Sequence, residues 1–153
     1  MPAPDYDAIA TALALRFANG VTTPAAPGGE ADVRVGSATA NIPNAMLPLP
    51  AVLVFTESGT FPTQGGGTRI GVSRFRVRFY LVLASDEGRT EARLRKWLTV
   101  LVQRCKAATS LSGTVDRAKV AEWRLGVIGF ADERYDGIEL MVDVTHSEGW
   151  AAS

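Results

Sequence analysis

One cysteine and one histidine in 153 residues close several routes at once. A lone thiol cannot form an internal disulfide, so the fold does not call for an oxidising compartment. One imidazole and one thiol fall short of the ligand set that holds zinc. No apolar run approaches the ~18 residues that a membrane-crossing helix needs, so no membrane partner is expected. The opening MPAPDYDAIA places no basic residue ahead of an apolar stretch, which argues against a secretory leader. Net charge is missing too: 16 Lys+Arg balance 16 Asp+Glu. The pI of about 6.6 lies well below the ~9 expected of a dedicated nucleic-acid-binding domain. What is present, 46% hydrophobic and 21% charged residues, excludes a disordered polymer or a fibre and fits a single domain over residues 1–153 with its own core.

The zero balance hides a segregation. Residues 69–106 hold ten basic and three acidic side chains, a surplus of +7, against −3 in residues 1–68 and −4 in residues 107–153. Thirteen of the sixteen cations are arginine, the side chain suited to bidentate contacts at interfaces.

Hydrophobic spacing predicts the elements. In residues 5–18, Ile9, Leu13 and Phe17 recur every four residues, which makes one helical stripe. Asp5 and Asp7 suit its first turn and Asn19-Gly20 its end. Residues 21–50 are broken by proline and glycine, and only Val33–Val35 reads as a short strand. So long an irregular stretch is either a tethered surface loop or a segment held by a neighbouring subunit. Ala51–Phe55 reads as a strand buried on both faces or at a subunit contact, and TESGTFPTQGGGT follows as an interruption. Arg69–Ala84 is the clearest strand: Phe75, Val77, Phe79, Leu81 and Leu83 alternate with Arg74, Arg76, Arg78 and Tyr80. These two strands form a hairpin with a long tip at Gly65, Gly66 and Gly67.

A second helix is expected from Ser85-Asp86-Glu87 to about Ala108, with Leu94, Trp97, Leu98, Leu101, Val102 and Cys105 on its apolar side. Two further strands, Val120–Phe130 and Ile138–Thr145, flank ADERYDG, where Asp136-Gly137 reads as the turn. The class is therefore α+β: a mainly antiparallel sheet packed against two helices, with a long hairpin loop.

Little in this pattern points to chemistry. Gly71-Val72-Ser73-Arg74-Phe75 comes nearest to the nucleophile-elbow pattern, but phenylalanine replaces its last glycine and the segment lies within a strand. His146 reads as an exposed strand-end residue, since its neighbours Asp143 and Ser147 share one strand and a catalytic relay needs groups from separate elements. The three glycines lack the Lys-Ser or Lys-Thr of a phosphate loop. Cys105 belongs to the core stripe. No catalytic residue, cofactor or metal is expected.

Three readings of the arginine row stay open. Arg74, Arg76 and Arg78 grip a nucleic-acid backbone; or they pair with Glu139 and Asp143 across a neighbouring strand; or they meet acidic segments of an identical neighbour, as a cyclic assembly requires. The segregated charge favours pairing over nucleic acid.

The order of these elements resembles the tail terminator, or tail completion, proteins of long-tailed bacteriophages. The resemblance is carried by the helix DYDAIATALALRF, the proline-preceded strand LPLPAVLVF, the glycine-rich hairpin tip, the strand RFRVRFYLVLA, the helix EARLRKWLTVLVQRCKAA and the closing YDGIELMVDVTHSEGW. It covers most of the chain and includes no catalytic motif. It implies a structural virion protein located in the tail or neck and, during assembly, in the host cytoplasm. Such a protein forms a ring, typically a hexamer, that caps the tail tube and ends its polymerisation. Its implied partners are the tube protein, the head-completion or connector protein, and genomic DNA passing through the lumen without sequence-specific contacts. Arg74, Arg76, Arg78, Glu139, Asp143 and Gly65–Gly67 are the expected subunit-interface or lumen residues. Another neck or tube subunit is the nearest alternative, and a small nucleic-acid-binding module a more distant one.

Overall fold

The computed structural model of the chain describes residues 5–18, 23–60, 68–84, 91–106 and 117–149. Asp5 opens the first helix, α1 (Tyr6–Ala18), by accepting a hydrogen bond from the Ala8 amide at 3.1 Å, the usual service of an aspartate at a helix start. Ile9, Leu13 and Phe17 are buried with Ala10, Ala14 and Ala18, so the predicted stripe is the packed one. The second helix, α2 (Glu91–Lys106), buries Leu94, Trp97, Val100, Leu101, Arg104 and Cys105. Its expected start at Ser85-Asp86-Glu87 lies outside the described residues.

Among the described residues five strands form one sheet in the order β1-β2-β3-β5-β4: β1 (Ala38–Thr39), β2 (Ala51–Gly59), β3 (Thr68–Leu83), β4 (Arg117–Phe130) and β5 (Glu133–Gly149). Only the two-residue β1 runs parallel to its neighbour; the other pairs are antiparallel. The fold is thus α+β, with α1 lying chiefly over β2 and α2 over β4 on one face of the sheet. Phe75, Val77, Phe79 and Leu81 of β3 meet Ile138, Leu140, Val142 and Val144 of β5 beneath the helices. At the centre Phe79 packs on Trp97 with ring centroids 4.6 Å apart.

Several expectations shift. The short strand lies at Ala38–Thr39, not Val33–Val35, because only there does the irregular segment come alongside β2. Two 3-10 turns, Pro27–Gly29 and Val35–Ser37, precede it. Strand β2 does not stop at Phe55; it continues through Thr56 to Gly59 across a bulge. Leu83 is exposed rather than in the core, since a bulge at Leu81 turns Val82 toward the helices and Leu83 away. The turn between β4 and β5 falls at Ala131-Asp132, with Ala131 at φ 52°, while Asp136-Gly137 lies inside β5. Gly137 is a glycine of close approach instead: a Cβ there would stand 2.1 Å from the Phe79 carbonyl oxygen.

The irregular segment is fastened within its own chain. Arg104 of α2 is fully buried and donates to the Phe17 carbonyl at 2.8 Å, the Pro24 carbonyl at 2.9 Å and the Asp32 carboxylate. Glu30 accepts from Arg93 and from the Trp97 indole. Beyond β1 the segment crosses to the other face, where Met46, Leu47 and Leu49 cover Leu53, Tyr80, Ile128 and Tyr135. It thus wraps the β2 side of the sheet, and the tethered-loop reading describes its residues from 23 onward.

Candidate functional site

Alternation along β3 sends its odd residues under the helices and Arg74, Arg76 and Arg78 to the opposite face. In register, Arg74 lies across from Asp143, Arg76 from Met141 and Arg78 from Glu139. Arg74 makes a two-pronged contact with Asp143, Nε to Oδ1 at 2.8 Å and Nη2 to Oδ2 at 3.2 Å. That hydrogen bonding and the carboxylate's charge hold the Arg74 guanidinium above its ordinary pKa. Arg78 donates Nε to Glu139 at 3.0 Å and lays its guanidinium over the Phe55 ring, 5.1 Å from the centroid.

Glu139 gathers more than one cation, with Arg76 Nε at 3.9 Å and Arg124 Nη2 at 3.5 Å around its Oε1. Arg76 finds its hydrogen bond on the other side, from Nη2 to Glu57 at 2.8 Å, and this bond chiefly holds its pKa up. The pairing of the row with Glu139 and Asp143 is therefore present, Asp143 with Arg74 and Glu139 with Arg78. Glu57 was missed because TESG read as loop; its signal was its position two residues beyond Phe55, on the same side of a strand that continues. Gly65, Gly66 and Gly67 lie outside the described residues.

Of the three readings of the row, pairing within the chain is the one the geometry displays. Carboxylates at these distances neutralise much of the charge that a phosphate backbone would need to meet, so the row is a poor polyanion grip. The ion pairs remain a quarter to a third exposed on the arginine side for Arg74, Arg76 and Arg78, which leaves the face reachable by a partner.

The two edges of the sheet differ. On one side β2 is flanked by β1 at Val52 and Leu53. On the other, the 14-residue β4 pairs only inward, with β5, among the described residues. Trp123 and Val127 stand exposed on it, at 56% and 49% of full accessibility.

At the far end of the helix-covered face, two residues from separate strands converge. Ser73 of β3 and His146 of β5 lie 3.0 Å apart, Oγ to Nε2, and both are buried. His146 is therefore not the exposed strand-end residue expected. Strand β5 runs on to Gly149, and His146 continues the inward series Ile138, Leu140, Val142, Val144. Its ring meets Tyr6 of α1 edge to face, with centroids 6.0 Å apart. Ser73 also lines an open cavity of about 240 Å³, with Tyr6, Thr56, Ser58, Gly59 and Thr60.

No cluster of His, Cys, Asp or Glu suited to a metal occurs among the described residues. Nor does any described helix have the length and apolarity to cross a membrane. At Cys105, burial pushes the thiol up to about 11, as befits a core position. The chain matches no family model, and no curated protein matches it.

Proposed function

We propose that the protein is a ring-forming structural subunit, a tail terminator that caps a bacteriophage tail tube, ends its polymerisation and joins the tail to the head connector. The observation that carries the assembly part of this reading is the unequal pair of sheet edges. A strand of this length whose outer hydrogen-bonding groups pair with no other strand among the described residues is a template for another chain, and soluble monomers usually blunt such an edge. Here β4 carries a bulge at Ala121 and exposed Lys119, Glu122 and Arg124, yet it also exposes Trp123 and Val127, apolar surface that a partner chain would bury. A contact between two different patches of one molecule closes into a ring when the rotation between copies permits. The more specific tail assignment is supported by the order of elements, helix, irregular segment, hairpin, helix, hairpin, which follows the order on which the resemblance rests.

Native mass spectrometry and negative-stain microscopy, with tail tubes present, test the proposal. Isolated rings seated on tube ends are the expected result. A strictly monomeric protein that leaves the tubes uncapped would sink it, and long tubes built from this protein alone would make it a tube subunit instead. Replacing Trp123 with Lys is expected to weaken ring formation while leaving the melting temperature within a few degrees.

A further inference from the structure

We propose that Ser73 is a nucleophile activated by His146, able to accept an acyl group from small activated esters that enter the cavity beside Tyr6. Taken separately, the two residues carry nothing: a partial Gly-x-Ser match within a strand, and a solitary histidine. The fold supplies the missing element, because β3 and β5 pair over fifteen residues with Gly71 across from His146. Ser73 and His146 are then diagonal neighbours on the same face, and their side chains close to 3.0 Å. This is hydrogen-bond reach between a nucleophile and its base. Both residues are buried, and Ser73 keeps access to the 240 Å³ cavity that it lines with Thr56, Gly59 and Thr60.

The step balances on these two groups and the ester. Ser73 Oγ adds to the carbonyl carbon as its proton passes to His146 Nε2. The tetrahedral adduct then expels the alkoxide or phenoxide, which takes the proton from Nε2. One O–C bond has formed and one has broken, leaving an ester on Ser73 and a free alcohol. For Nε2 to act as the base, the ring proton must sit on Nδ1, and Nδ1 is buried with no hydrogen-bond partner among the described residues. No carboxylate among the described residues holds that tautomer or stabilises the imidazolium, a role whose loss in serine–histidine–aspartate sites costs about 10⁴ in rate. The dyad therefore acylates slowly.

A fluorophosphonate probe reads this directly: Ser73 Oγ bonds to phosphorus, fluoride leaves, and the proton goes through Nε2 to solvent. Peptide mapping of the full-length protein is expected to place the label on Ser73, at least tenfold faster than on Ser58 of the same cavity. In Ser73→Ala this label is absent. With His146→Gln the labelling rate falls at least tenfold, within the range a positioned base contributes. Equal labelling of Ser73 and Ser58, or an unchanged rate in a folded His146→Gln protein, overturns the proposal. If His146→Gln does not fold, the ratio of Ser73 to Ser58 in the unaltered protein decides alone.

Discussion

One face of the sheet is dry and the other is ionic, although the same three long strands supply both. Beneath the helices, Phe75, Val77, Phe79, Leu140 and Val142 have no exposed surface. On the opposite side their immediate neighbours Arg74, Arg76, Arg78, Glu139 and Asp143 form ion pairs, and apolar cover is confined to the end where Met46, Leu47 and Leu49 lie over Tyr80. Burial pushes the Tyr80 phenol up, against the pull of the Arg78 guanidinium. The difference separates two jobs. Apolar burial contributes roughly 25 cal/mol per Å² and sets stability, whereas partly exposed ion pairs contribute little and mainly fix which groups meet. The dry face holds the domain together, and the ionic face orders a surface without depending on it for folding.

The largest expected effect therefore lies on the dry side. Trp97 fills the centre of the core against Phe79 and donates its indole hydrogen to Glu30. Trp97→Ala is expected to cost about 3–5 kcal/mol, from lost burial and the cavity left behind. In a domain of this size that lowers the melting temperature by roughly 10 °C. Urea unfolding checks it, and a loss under about 1 kcal/mol would remove the assignment of stability to this face.

Arg104 is the exception that sharpens the comparison, a charge placed on the dry side. It is buried completely, yet two carbonyls and the Asp32 carboxylate satisfy it. Arg104→Met fits the volume but strands those acceptors. The expected loss is about 3 kcal/mol, near the lower end for breaking a buried pair by removing one partner. Because its partners Pro24 and Asp32 belong to the irregular segment, amide exchange in residues 23–33 should rise more than in the sheet. Uniform exchange across the whole domain would mean that Arg104 supports the core and not the segment.

How much of this was legible beforehand follows from the range of each interaction. Ile9, Leu13 and Phe17, and the alternation of β3 and β5, were readable because a buried side is written in periodic spacing. Even the burial of His146 was implicit, since it continues the even series from Ile138. The Arg104 network was not readable, because its partners lie 72 to 87 positions away and two of them are backbone carbonyls that no residue type announces. The hairpin turn was misplaced for a related reason. A glycine suits a tight turn and a tight strand contact equally well, and only the closeness of the Phe79 carbonyl to Gly137 tells which. Among the candidate site residues, the arginines and their two acids were found as types, but their exact partners depended on register and on the bulge that carries Glu57 into place.

The smallest expected effect belongs to the ionic face, at its most connected residue. Glu139 faces Arg76, Arg78 and Arg124, and truncating its charge as Glu139→Gln removes the centre of that cluster. Glu139 itself is buried, its side chain 9% exposed, but each of the three arginines retains solvent access, from 25% to 73% of its side chain, so water replaces much of what the carboxylate supplied to them. Glutamine also keeps one acceptor oxygen for Arg78. The expected loss is about 1 kcal/mol in dilute buffer, shrinking further in 1 M salt, where charges more than ~3 Å apart are screened. Thermal unfolding at the two salt concentrations measures both quantities. A loss as large as that of Trp97→Ala, and independent of salt, would mean that the ionic face is a second core and that the division of labour between the faces is wrong.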